Sequence, residues 1–264
     1  MMKKVFLAAM LSAVALVSNA EPLDNDCGDA GTASESNVLV FKNQMLGANQ
    51  HPEAGCLLTV TDAGQLNVQT ACYMKDDASL NDKENKKRRS EIDMIVNTYS
   101  GPSIALANSG KITYNLRNFK CGGSGLFKGA DKNDSDRNEK DEKTANAEFP
   151  GYADIQTRFT VLQENVKKEK AIIDLVKSGH LEEISKTATP ALFDGTTKMN
   201  RNWVQSIKPG ESVSKALFDV NSVVAFRSSK NGKIGLMLIR QINNLDGVTD
   251  AADATIVFDL YYQK

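Results

Sequence analysis

The stretch VVAFRSSKNGKIGLMLIRQINN, Val223 to Asn244, followed after a polar loop by TIVFDLYYQ, Thr255 to Gln263, carries the most explicit structural information in the chain. Asn231-Gly232 is a favoured pair for a tight hairpin turn, and Ile256, Phe258, Leu260 and Tyr262 alternate as a half-buried strand requires. The reading is an antiparallel meander: Val220 to Arg227, then Lys233 to Ile242, then Thr255 to Gln263. Its middle segment carries Ile234, Leu236, Met237, Leu238 and Ile239, so it is apolar on both faces and should be covered on both. Trp203, the single tryptophan, lies in the run Trp203 to Ile207 and reads as core.

Upstream, the apolar period changes from two to that of a helix. Ile155, Phe159, Leu162, Val166, Ile173 and Val176 form one stripe, broken where Glu169 would have been apolar, which predicts an amphipathic helix from Asp154 to Lys177 stopped by Ser178-Gly179. Its apolar face should pack on the meander, with self-association through the same face as the other use. Leu181 to Lys186 reads as a further short helix carrying His180, Glu182 and Glu183 at its start. One histidine without a second reads as a solvent-facing polar side chain rather than a metal set.

From Lys128 to Lys143 charged residues dominate and apolar ones almost vanish, so 128–150 reads as a linker or exposed loop. Within it Asp131, Asn133, Ser135, Glu139 and Glu142 fall on calcium-loop positions, but Asp136 stands where the sharp turn needs glycine.

The front half should be β-rich. Leu57 to Val60 and Leu66 to Thr70 flank the turn Thr61 to Gln65, and Ile104 to Leu106 and Ile112 to Leu116 flank Asn108-Ser109-Gly110 as a possible second copy. Between them, residues 75–91 include Lys86-Lys87-Arg88-Arg89 among acidic neighbours, as on a solvated helix face. Before them lies the short apolar run Val38 to Phe41.

All four cysteines, Cys27, Cys56, Cys72 and Cys121, precede residue 122. Lys3-Lys4, the apolar run Val5 to Val17 and Ser18-Asn19-Ala20 make residues 1–20 read as a secretory signal cleaved after Ala20, too short in its apolar core to span a bilayer. The protein is therefore expected in the periplasm or secreted, where paired cysteines oxidise. A register that sets Asp62 opposite Leu66 also sets Cys56 opposite Cys72, which leaves Cys27 with Cys121. The intervals between the four are too long for a zinc site, and His51 near Cys56 is not thereby a catalytic dyad. The expectation is thus an α+β, β-rich chain: signal 1–20, a region 21–127 of disulfide-stapled antiparallel hairpins, the linker 128–150, and a domain 151–264 with one long helix on a three-stranded meander.

The front hairpins resemble the repeats of monocot mannose-binding lectins. Aligned on the turn glycine, the family's sugar positions, Gln, Asp, Asn, Val and Tyr, fall on Thr61, Ala63, Gln65, Asn67 and Gln69, and the second hairpin offers Ala107, Ser109, Lys111, Thr113 and Asn115. Neither set matches, so the resemblance implies no sugar pocket there. The last strand, ending Tyr261-Tyr262-Gln263, is similar over about ten residues to the terminal strand of fimbrial pilins, which implies a shared strand pattern.

Composition narrows function. Hydrophobic residues are 41% and charged residues 25%, with Lys plus Arg at 32 against 33 Asp plus Glu. Removal of Lys3 and Lys4 takes the net charge from −1 to −3, which argues against a nucleic-acid partner. No GxSxG elbow, HExxH helix, phosphate loop or dinucleotide fingerprint occurs, and the SxxK of Ser212 and Lys215 lacks its companion motifs. No catalytic, cofactor or metal residue is assigned and no cofactor is expected. The expected role is non-enzymatic, in binding, adhesion or envelope structure with a protein or glycan ligand. The alternative is a carboxylate-based hydrolase acting on envelope or extracellular glycans.

Overall fold

The computed structural model describes residues 36–49, 51, 53–99, 103–108, 120–121, 124–125, 147–184, 199–208, 210–245 and 253–264. Residues 1–20, read as a signal, Cys27, the acidic stretch 131–142 and Ile112 to Leu116 lie outside them.

Residues 36–264 form one unit built on two sheets. The first contains β1 (Val38–Gly47), β8 (Arg158–Val161), β11 (Val223–Arg227), β12 (Ile234–Asn243) and β13 (Thr255–Gln263), in the order β1-β13-β12-β11-β8 and wholly antiparallel. The second contains β2 (Leu57–Val60), β3 (Leu66–Gln69), β4 (Met94–Tyr99), β5 (Ser103–Ala107), β9 (Trp203–Ser206) and β10 (Leu217–Phe218), in the order β10-β9-β5-β4-β2-β3. Only the β10–β9 pair there is parallel. β6 (Lys120–Cys121) and β7 (Ser124–Gly125) pair separately.

The three-stranded meander is present, with its first strand shortened from the expected Val220 to Arg227 to Val223–Arg227. Over Ile234 to Ile239, β12 exposes neither face: Met237 and Ile239 join the larger core with Phe226, Phe258, Leu58, Val96 and Leu106, whereas Ile234, Leu236 and Leu238 join a second core under a helix. Each fully buried aliphatic or aromatic side chain contributes about 1.5–3 kcal/mol relative to exposure. Gly232 closes the β11–β12 turn at φ 72°, a region that favours glycine.

The helix expected over Asp154 to Lys177 is shorter. α2 spans Lys167–Ser178, capped by left-handed Gly179, and its Ile172, Ile173 and Val176 are buried on the meander. The front of the expected helix is instead a 3-10 turn, Tyr152–Asp154, and strand β8. Phe159 and Val161 both enter the larger core two residues apart, a period of two that Ile155, Phe159 and Leu162 alone concealed. Leu181 to Ile184 is not helical. The break in the stripe at Glu169 is a buried ion pair: its carboxylate accepts from Lys215 Nζ at 3.2 Å and from the Gln163 N–H at 2.7 Å.

Two further features of the sheets concern strand pairing. β5 is flanked by β4 and β9 on its two edges, and its hairpin partner is β4. The halves on either side of 128–150 are also interleaved, since β1 lies on β13 and β9 on β5.

A further correction concerns cysteine pairing. The β2–β3 register sets Val60 opposite Leu66 and Leu57 opposite Gln69, two residues tighter than a Cys56–Cys72 bridge requires. Cys72 leaves the ladder in a 3-10 turn, Ala71–Met74, and is bonded to Cys121 with Cα atoms 5.6 Å apart. Closing that 49-residue separation contributes about 4 kcal/mol in the chain-entropy model. Cys56 is a buried free thiol, with Cys27 outside the described residues, and burial pushes its pKa up to about 12. Such a thiol stays protonated at neutral pH and is no nucleophile.

Candidate functional site

Three turns from three parts of the chain meet at one end of the two sheets. The β2–β3 turn brings Thr61 and Asp62, the β11–β12 turn brings Ser229, Lys230 and Asn231, and the C-terminal end of α1 (Asp82–Ser90) brings Lys87, Ser90 and Glu91. With Thr59 and Asp154 they enclose an open cleft of about 430 Å³ in which all ten lining residues are polar.

Its floor is a buried ion pair. Asp93 is 0% exposed, and its carboxylate accepts from the Val60 N–H at 2.7 Å, from Ser228 Oγ at 2.5 Å and from Lys230 Nζ at 2.8 Å. Lys230, whose side chain is 11% exposed, also donates to the carbonyl oxygens of Val60 and Glu91. An ammonium has three protons, so these three acceptors saturate it. Burial pushes the Asp93 carboxyl above its ordinary value, against the opposing pull of Lys230, Ser228 and the Val60 N–H. Burial likewise raises the Tyr262 phenol, aided by the Asp93 charge, and that phenol donates to Asn231 Oδ1 at 3.3 Å.

The rim is more loosely paired. Lys87 lies 3.6 Å from Glu91 and Lys86 lies 3.9 Å from Asp154, both exposed pairs that contribute little to stability. Ser229 Oγ accepts from the Gln156 N–H at 3.0 Å, which ties the β11–β12 turn to the segment after Asp154.

α1, with the sequence DKENKKRRS, contains no apolar residue. An Asn81 and Glu84 capping box starts it, and polar contacts from its buried face hold it. Arg89, only 1% exposed, donates to the carbonyls of Met74 at 3.1 Å and Pro150 at 2.8 Å and to Asp76 at 2.6 Å. Asn85 bonds both N–H and C=O of Asp77, and Arg88 reaches the Lys75 carbonyl while lying 4.2 Å from the Tyr73 ring centroid. The basic tetrad is therefore divided: Lys86 and Lys87 face outward as a solvated helix requires, but Arg88 and Arg89 are clamps.

Other residues singled out in the sequence stand apart from this cleft. His51 accepts from the N–H groups of Glu53 and Ala54 and shapes a turn. His180, Glu182 and Glu183 are exposed, and among the described residues no three His, Cys, Asp or Glu side chains could hold a metal. Lys215 is engaged by Glu169. Trp203 is half-buried beside the larger core. On the helix side of the first sheet, buried Asp259 binds Arg240 at 2.5 and 2.8 Å and the Asn43 N–H at 2.8 Å. Burial alone would raise its carboxyl, but Asn43, Arg240 and Lys42 hold it below its usual range.

Asp62, Glu91, Asp93 and Lys230 were not singled out by sequence. The available signal was Asp93 itself, a lone carboxylate inside the apolar run Ile92 to Val96; such a charge is buried only with partners.

The architecture defines a β-rich chain of two antiparallel-dominated sheets with a turn-built polar cleft. No known family model and no curated protein matches it. A solved DUF4466 family protein from Parabacteroides merdae is similar at 12% identity and a TM-score of 0.42, over 87% of this chain and 55% of that one. The chain thus spans about half of that protein, a likeness too distant to carry an argument. Among the described residues no helix is long and apolar enough to cross a membrane.

Proposed function

We propose that the protein is an exported, non-enzymatic binding protein whose polar cleft receives a hydroxyl-rich ligand, an envelope or extracellular glycan. The observation that carries this reading is a cleft large enough for a sugar unit and lined by polar residues, with hydroxyls from Thr59, Thr61, Ser90 and Ser229 beside the carboxylates of Asp62, Glu91 and Asp154. Ligand sites of this kind fix orientation through convergent polar groups. The disulfide and the reading of residues 1–20 support an oxidising compartment.

The hydrolase alternative needs a carboxyl with a raised pKa that reaches the substrate. Asp93 has the raised pKa, but both its oxygens are occupied and none of its surface is exposed. This favours binding over turnover. The test is incubation with insoluble envelope polysaccharide from the producing cell. Wild type should be retained saturably without releasing reducing ends, and Asp62→Ala combined with Glu91→Ala should weaken retention at least tenfold. Steady release of reducing ends that depends on Glu91 or Asp154 would establish the hydrolase instead.

A further inference from the structure

We propose that the Cys72–Cys121 disulfide is a redox-sensitive fastening for one wall of the cleft, so that its reduction loosens α1 while the two sheets stay folded. The reason lies in how α1 is held. A helix normally stays on its domain by burying an apolar stripe, and α1 has none. Its buried side chains instead reach the backbone of a short segment: Arg89 the Met74 carbonyl, Arg88 the Lys75 carbonyl, Arg89 also the Asp76 carboxylate, and Asn85 both backbone groups of Asp77. That segment begins at Cys72, and Lys75 Nζ lies 3.5 Å from the Cys121 carbonyl oxygen across the bridge. The disulfide therefore fixes the position of the acceptors on which α1 depends, apart from the Pro150 carbonyl that also accepts from Arg89, and α1 in turn fixes Lys87, Ser90 and Glu91 at the cleft.

The chemistry needs a dithiol. Its thiolate attacks Sγ of half-buried Cys72, expelling the Cys121 thiolate, which takes a proton. The reagent's second thiolate then attacks the mixed disulfide, closing an intramolecular disulfide in the reagent and releasing Cys72, which takes the second proton. Two electrons pass from reagent to protein. Cys56 stays out of this exchange because burial keeps it protonated.

For its functional meaning this inference rests on the cleft being the ligand site, but its test needs no ligand. Hydrogen exchange is followed by mass spectrometry on oxidised protein, on the same protein in dithiothreitol, and on the Cys72→Ser, Cys121→Ser double variant. In dithiothreitol and in the double variant, amides of residues 83–91 should exchange at least tenfold faster, while those of β12 and β13 stay protected over the interval in which 83–91 exchange completely. Exchange in 83–91 that stays within twofold would overturn the proposal. So would loss of protection in β12 and β13 over the same interval as in 83–91, or a double variant that fails to fold, because the bridge would then fasten the whole fold and not one wall.

Discussion

Lys230→Met should lower the unfolding free energy by about 3–5 kcal/mol, because removing one partner of a buried pair leaves an uncompensated charge. The methionine fills much of the space but offers Asp93 no proton, and the carbonyls of Val60 and Glu91 lose their donor as well. The deficit should depend on pH in a defined direction. The buried Asp93 carboxyl already lies above its ordinary value, and without the ammonium it rises further. A carboxyl raised in the folded state favours folding below its unfolded pKa and loses that contribution as pH rises through the folded one. The variant should therefore lie furthest below wild type near neutrality and above, and approach it as pH falls toward the ordinary carboxylate range. Urea melts at several pH values read this directly. A loss under 1 kcal/mol, or one independent of pH, would show that the pair is not the sealed floor described here.

Phe226→Ala should cost about 3–5 kcal/mol, the range for emptying a large aromatic site in a close-packed core. Phe226 is fully buried between Phe159 and Tyr262, with ring centroids 6.4 and 6.1 Å away, and it pairs across strands with Gly235. The glycine is part of the same packing: a Cβ there would lie 2.2 Å from Phe226 Cζ and 2.3 Å from Cε1. Gly235→Ala should accordingly cost about 1–3 kcal/mol by overpacking. The two effects should not add, since the methyl group enters space that loss of the ring vacates. Denaturant melts of the single and double variants check this. A strictly additive double variant would mean that the two positions are not coupled through the ring.

The same residues explain what the sequence disclosed. The meander was legible because Asn231-Gly232 sets a turn and the strands on either side carry enough periodic residues to display their faces. α2 was legible from Ile173 to Gly179, but the stripe runs too far forward because β8 spans only four residues and its buried Phe159 stands at helical spacing from Ile155 and Leu162 on either side. The observed register of Cys56 and Cys72 differs from the alternation pattern by two residues, a distance that depends on how tightly Thr61 to Gln65 closes the turn. That closure, through Thr61 N–H to the Gln65 carbonyl, is local detail that alternation does not encode. The cleft was hidden for a different reason: Asp62, Glu91, Asp154 and Lys230 lie far apart in sequence and meet only when both sheets are assembled.

The claim that the three turns form a ligand site is tested most directly by backbone NMR of the oxidised protein titrated with soluble fragments of the envelope polysaccharide that retains it. Saturable shift changes should cluster at residues 59–62, 87–91, 154 and 229–231. Changes confined elsewhere, for instance to the groove of Leu162, Ile173, Val213 and Val220 beside α2, would contradict it.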